Sequence, residues 1–283
     1  MIVVATIAQD RERDSLLTLL PEQMGVERLN TLLELSDRLL YHNPDTAVSY
    51  ASEAYELARE LRETDLGFKA LKIRASANNF AGNITRSMSD IQEGLDYYTR
   101  IRDTVFIAEA LSDLGQLYLS QGIHDKALEN FQQALAIRQQ KGDAHGIAYS
   151  LNSIGLANWR SGKFEEALDF YNQAILSFEA AGLMEETAQA TANMGEIYFQ
   201  NNNTEMALEY FNRAMRINQT VNRAAFRSRN LINIGKVYLQ RKQPQRAINY
   251  FTQALSIQNK SGDREGYAIS QYHLGLAWLL RIQ

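Results

Sequence analysis

Residues 151–178 read LNSIGLANWRSGKFEEALDFYNQAILSF, and the order of small and aromatic residues in that stretch decides the fold. Gly155 is followed by Gly162, Ala167, Tyr171 and Ala174. Forty residues on, the same places hold Gly195, Asn202, Ala207, Phe211 and Ala214, and forty further on Gly235, Lys242, Ala247, Phe251 and Ala254. Forty residues back stand Gly115, Gly122, Ala127, Phe131 and Ala134, while Gly275 opens one more copy. A fixed period of this length marks a repeat architecture. Extended backward, the phase passes through Ser87, Ile91 and Gly94 and then Ala47 and Ala54, so two divergent copies precede four regular ones and a last half copy follows.

Each period contains two turn positions. One holds Gly82, Gly122, Gly162, Asn202 and Lys242, the other Gly142, Gly182, Asn222 and Gly262, mostly residues that tolerate a left-handed backbone at a helix end. Between the turns apolar residues fall at i, i+3, i+4 and i+7, the helical spacing. The expected unit is a helix–turn–helix repeated about six and a half times, an all-α solenoid. The small residues have a packing role: glycine on one helix lets a facing aromatic such as Tyr171 or Phe211 approach the backbone. Only three prolines, Pro21, Pro44 and Pro244, occur in 283 residues, which agrees with long uninterrupted helices.

Composition narrows the function. The chain is 45% apolar and 22% charged, enough to bury a core. The absence of cysteine excludes disulfides, zinc–thiolate and iron–sulfur sites and thiol nucleophiles. The run from Met1 to Ala8 is too short to span a bilayer and has no basic residue before it, so the expected location is the cytoplasm. Charge is uneven: residues 1–222 carry 19 Lys+Arg against 31 Asp+Glu, and residues 223–283 carry 10 against 2. That split fits an acidic partner for the last segment, contact between opposite ends of two copies, or differently solvated surfaces.

The Gly, Ala, aromatic, Ala phase resembles the tetratricopeptide repeat family, which also places an aromatic three residues after the glycine. Here those residues are Tyr118, Tyr198, Tyr238 and Trp278, with Asn158 departing from the pattern beside Trp159. The period of forty exceeds the family's commoner 34, and Gln139, Glu179, Gln219 and Asn259 stand where its helix-ending proline would fall; both imply longer helices. HEAT-like arrays share the spacing but not this phase. The resemblance implies a right-handed solenoid that binds and does not catalyse, similar to the repeat regions of bacterial signalling and regulatory proteins. The expected organisation is an extension at 1–24 with a short capping helix at Leu16 to Leu20. The solenoid at 25–283 has repeats near 25–64, 65–104, 105–144, 145–184, 185–224 and 225–264, and a partial one at 265–283.

In such arrays the first helix of each repeat lines a concave groove. At about 100° per residue, positions six, three and two before the glycine and one, four and five after it share an arc opposite the packing anchors. That arc supplies the candidate peptide-binding residues Tyr149, Asn152, Trp159, Arg160, Asn193, Glu196, Phe199, Arg229, Asn233 and Lys236. Side-chain amides can grip an extended backbone from both sides, the aromatics offer apolar pockets, and the cations can hold a carboxylate. The competing reading is a solvated helix face, with Tyr149 and Trp159 packed against a neighbouring repeat.

No catalytic constellation stands out. His42, His124, His145 and His273 lack paired metal-ligand spacing, and neither G-x-G-x-x-G nor G-x-x-x-x-G-K is present. Glu165, Glu166, Glu185 and Glu186 fit helix starts better than acid–base work. The basic end lacks a nucleic-acid reader module, and the pI is near 5.7. No cofactor, metal, membrane or nucleic acid is expected. Leu276, Trp278, Leu279 and Leu280 form an apolar face that expects either a further helix or a second copy of the chain. The expected function is a non-catalytic module that binds a protein or an acidic peptide, the sensing or docking region of a larger bacterial signalling protein with an output enzyme domain beyond residue 283. The alternative is a free-standing scaffold that tethers protein partners.

Overall fold

The computed structural model describes residues 14–221 and 223–282; the run at 1–8 and the turn expected at Asn222 lie outside them. Every regular element among the described residues is helical. After a helical segment at 14–19 come α1 (Gly25–Leu39), α2 (Pro44–Leu61), α3 (Thr64–Phe80), α4 (Ile84–Ile101) and α5 (Thr104–Ser120). Then follow α6 (His124–Lys141), α7 (Ala144–Arg160), α8 (Phe164–Ala180), α9 (Met184–Gln200) and α10 (Thr204–Thr220). The chain continues with α11 (Ala224–Gln240), α12 (Pro244–Ser261) and α13 (Arg264–Ile282). The expected all-α solenoid of helix–turn–helix repeats is the fold.

The turns explain the regularity. Left-handed residues occur at Arg62, Gly82, Arg102, Gly122, Gly142, Gly162, Gly182, Asn202, Lys242 and Gly262. These include all the turn positions named above that the structure describes, and Arg62 and Arg102 were not foreseen. After most of them the next amide donates to a carbonyl five residues back, as in Lys163 N to Asn158 O at 2.9 Å and Gln243 N to Tyr238 O at 2.8 Å. That bond closes the helix end and reverses the chain. Asn43, Asp103, Asp143 and Asn203 accept amide hydrogens at the next helix start, and Pro44 and Pro244 occupy first-turn positions that need no donor.

The chain divides into two compact units, Met1–Gln121 and Gly122–Gln283. In the first, Leu29, Leu32 and Leu35 of α1 meet Ala47, Ala51, Ala54 and Ala58 of α2, and Leu16 and Leu20 pack on that cluster. In the second, the repeat anchors form the core: Ala167, Tyr171, Ala174, Ala207, Phe211, Ala214, Ala247, Phe251 and Ala254 are all wholly buried. A Cβ built on Gly155 would stand 3.1 Å from the Tyr171 ring, on Gly195 2.7 Å from Phe211, and on Gly235 2.5 Å from Phe251. The glycines are therefore sockets for the aromatics of the following helix. Gly275 on α13 has nothing within 4 Å.

Candidate functional site

Within the second unit the first helices of successive hairpins meet directly, α9 with α11 and α11 with α13, whereas the second helices α8, α10 and α12 make no comparable contact with one another. Closer spacing on one side of a stack puts that side on the inside of its bend. The candidate arc lies along this row, because the anchor arc of each helix is turned into its own hairpin.

Along the row the candidate residues fall into two groups. The first is committed to neighbouring repeats. The Tyr149 hydroxyl donates to Glu186 Oε1 at 2.7 Å, and that bond, with burial, pushes its pKa up to about 12. Its ring also meets Phe178 edge-on at 5.3 Å. Trp159 Nε1 donates to Gln200 Oε1 at 3.0 Å. Lys236 Nζ lies 3.6 Å from Glu196 and 5.1 Å from the Phe199 ring centroid. Apart from the Tyr149–Phe178 contact, which lies within one hairpin, these pairs bridge repeats about forty residues apart, so the aromatics are rungs between helices as well as surface.

The second group remains available to a ligand. Asn152 and Asn233 are half-buried and have no hydrogen-bond partner among the described residues. Asn193 Nδ2 donates to the Tyr171 hydroxyl across 3.4 Å, a long bond that leaves its carbonyl oxygen free. Arg229 is exposed, its guanidinium 5.7 Å from the Phe226 ring, and exposed Arg160 lies 5.8 Å from the Trp159 ring. The arrangement offers amide donors and acceptors flanked by cations, suited to an extended backbone with acidic side chains.

The charge asymmetry has a partial internal counterpart. Arg223 pairs with Glu185 at 2.6 Å and Lys236 with Glu196 at 3.6 Å, so part of the basic segment neutralises the acidic helices before it; within the acidic part Arg213 pairs with Glu179 at 2.9 Å. Gln200 was not singled out in the sequence, and Glu186 only as a helix-start carboxylate; a spacing near forty between complementary side chains is the signal that could have paired them with Trp159 and Tyr149.

On α13 Leu279, Leu280 and Trp278 are exposed and Leu276 is half-buried. His273 stacks on Phe251 with ring centroids 5.5 Å apart, and burial, with Lys236 nearby, holds its pKa below the ordinary histidine value. Among the described residues no group of three or more His, Cys, Asp or Glu side chains is placed to hold a metal ion, and no helix is long and apolar enough to cross a membrane.

Residues 106–179 and 186–260, together more than half of the chain, match the family model described as tetratricopeptide repeat. The chain belongs to the tetratricopeptide repeat family. It is similar in structure to BtubC from P. vanneervenii, at 24% identity and TM-score 0.69, over 78% of this chain and 92% of that one. It is also similar to the signal transduction ATPase PH0952 with a tetratricopeptide repeat sensor from Pyrococcus horikoshii, at 17% identity and TM-score 0.72, over 98% of this chain but 43% of that one. A third likeness is to the Rap conjugation gene regulator of plasmid pLS20 in complex with the Phr* peptide, at 15% identity and TM-score 0.62, over 87% and 79%. At these identities the likeness is one of fold. No curated protein matches the chain in sequence.

Proposed function

We propose that this chain is a non-catalytic binding module whose row of first helices in the second unit takes an extended, acidic peptide or protein segment. The observation that carries the reading is the set of amides Asn152, Asn193 and Asn233 spaced along that row, with Asn152 and Asn233 unpartnered among the described residues, and with the exposed cations Arg160 and Arg229 on the same helices. Such amides recognise backbone in any sequence, and the cations bias the choice toward carboxylates. The peptide-bound Rap regulator and the sensor region of the ATPase support a sensing role. We assign the chain, on that basis, to the sensing or docking part of a larger bacterial signalling protein in the cytoplasm. On the same reading the exposed face of α13 receives a helix with the small-x-x-x-aromatic-x-x-small pattern of α8, α10 and α12.

The test is selection from a displayed library of random dodecapeptides. Enriched peptides are expected to carry Asp and Glu, and the best of them to bind the double variant Asn193→Ala, Asn233→Ala at least about tenfold more weakly, a loss near 1.4 kcal/mol. The helical circular dichroism should be unchanged. Equal affinity for the double variant, or no enrichment, would overturn the reading.

A further inference from the structure

The second repeat leaves a gap where the later repeats are filled. Its second helix carries Ile91 where α6, α8, α10 and α12 carry Phe131, Tyr171, Phe211 and Phe251, and Gly94 where they carry Ala134, Ala174, Ala214 and Ala254. Losing a ring and a methyl group removes volume from the seam between α3, α4 and α5. Elsewhere in the same seam bulk is added: α3 carries Phe68 where the next first helices carry Ala108, Ala148, Ala188 and Ser228. The Phe68 ring stacks on Tyr97 with centroids 3.8 Å apart, and Tyr98 stacks on Phe106 of α5 at 4.3 Å. Extra rings beside a missing one keep the two first helices apart, and α3 and α5 do not approach each other as α9 and α11 do. Lys72 of α3 reaches across to Glu109 of α5, Nζ to Oε2 at 2.5 Å.

Within this seam lies a cleft of about 100 Å³. Since about 10–15 Å³ holds one water, it has room for several waters or for one molecule of about three to five carbons. Ala75, Ile91 and Leu117 supply its apolar surface. Its polar lining is Ser76 and Asn79 from α3, Ser87 from α4 and Gln116 from α5, and Lys72 and Asp113 add opposite charges that cancel. Ser87 is the residue that points to a ligand. The corresponding residue of every other second helix is a wholly buried alanine: Ala47, Ala127, Ala167, Ala207 or Ala247. Ser87 is itself only 1% exposed, and its hydroxyl has no hydrogen-bond partner among the described residues. A hydroxyl so placed opposes folding unless something in the cleft pairs with it. The hydroxyl is not sealed; what remains open of this side chain faces the cleft. The side chains of Ser76, Asn79 and Gln116 are likewise without hydrogen-bond partners among the described residues.

We propose that this cleft binds a small neutral polyol or sugar. The hydroxyls of Ser76 and Ser87 and the carboxamides of Asn79 and Gln116 can each donate and accept, which matches a ligand whose own hydroxyls do both. A lining without net charge would leave a charged ligand uncompensated. The innermost ligand hydroxyl meets Ser87 Oγ, and the C–H face of the ligand lies on Ile91 and Leu117. The cleft lies in the first unit, and the proposal stands apart from peptide binding in the second.

Calorimetric titration of the full chain with glycerol, erythritol and ribose separates short polyols from a sugar. Butanol, with a single hydroxyl, and threonate, with a carboxylate, are the controls. At least one of the three probes should bind with Kd below about 10 mM, and both controls at least about tenfold more weakly. Ser87→Ala, which installs the alanine of the other repeats, should weaken that binding by about fivefold or more without lowering the melting temperature. The double variant Ala75→Gly, Ile91→Phe, which restores the glycine and ring of the later repeats, should abolish it. A Kd above about 10 mM for all three probes overturns the proposal. So does equal binding by either control, unchanged affinity in Ser87→Ala, or full affinity in the double variant.

Discussion

Gly155, Gly195, Gly235 and Gly275 occupy one repeat position in four environments, so a single substitution measures packing against an internal control. The added methyl group of Gly235→Ala and Gly195→Ala runs into the Phe251 and Phe211 rings at under 3 Å, and each should destabilise by about 1–3 kcal/mol. Gly155→Ala meets Tyr171 at 3.1 Å and should cost less than either. Gly275→Ala meets nothing and should gain up to about 1 kcal/mol from helix propensity alone. Urea midpoints of the four variants check the order. The left-handed residues give a second series: Arg62, Arg102 and Lys242 hold φ of 60°, 59° and 55°, where a side chain crowds its own backbone. Glycine at each should stabilise by about 0.5–1 kcal/mol, and by less at Asn202, whose side chain tolerates that conformation. The glycines of the first series, and Asn202 and Lys242 of the second, were legible in the sequence. Arg62 and Arg102 were not, because nothing in an arginine marks a turn; only their spacing of twenty from Gly82 does.

Among the helices, α13 differs from α7, α9 and α11 in having its anchor face open. Only Ser270 and Ala277 are buried along it, and the socket at Gly275 is empty. In α8, α10 and α12 the aromatic that fills such a socket is Tyr171, Phe211 or Phe251, so the sequence of this chain defines the helix that should dock there. A synthetic peptide of residues 204–220, which carries Ala207, Phe211 and Ala214, should bind the protein. Phe211→Ala in the peptide, or Gly275→Leu in the protein, should abolish that binding; a fluorescence titration in which neither matters would count against the assignment. His273 on the same helix provides a pH test. Its pKa is held down in the folded state by burial, then by Lys236, so the unfolded chain binds the proton more readily. Stability from this group is therefore complete above the unfolded pKa and declines as pH falls through it. Melting temperatures between pH 7.5 and 5.5 should show that decline, and His273→Asn, the residue of the two preceding repeats, should flatten it.

Taken as a whole molecule, a repeat array gains stability from nearest-neighbour contacts instead of one central core. Unfolding should then be graded: amide hydrogen exchange is expected to be fastest in α13 and slowest in α8 to α10, where aromatics fill sockets on both sides. Uniform protection throughout would mean a single cooperative unit and would contradict that picture. The Arg213–Glu179 and Arg223–Glu185 ion pairs between neighbouring repeats are largely exposed and should contribute little once salt screens them. The period, the hairpin unit and the buried faces were determined by the sequence alone, because each depends on residues within one turn or one repeat. The candidate arc was legible for the same reason, since helical geometry sorts faces without reference to neighbours. Only the tertiary structure could separate Tyr149, Trp159, Glu196, Phe199 and Lys236, which bridge repeats, from Asn152, Asn233 and Arg229, which do not. It alone brought Ser76, Asn79, Ser87 and Gln116 together around a cleft. A side chain's partner on the next helix or the next repeat is set by stacking distance and rotamer, and neither is written in a one-dimensional pattern.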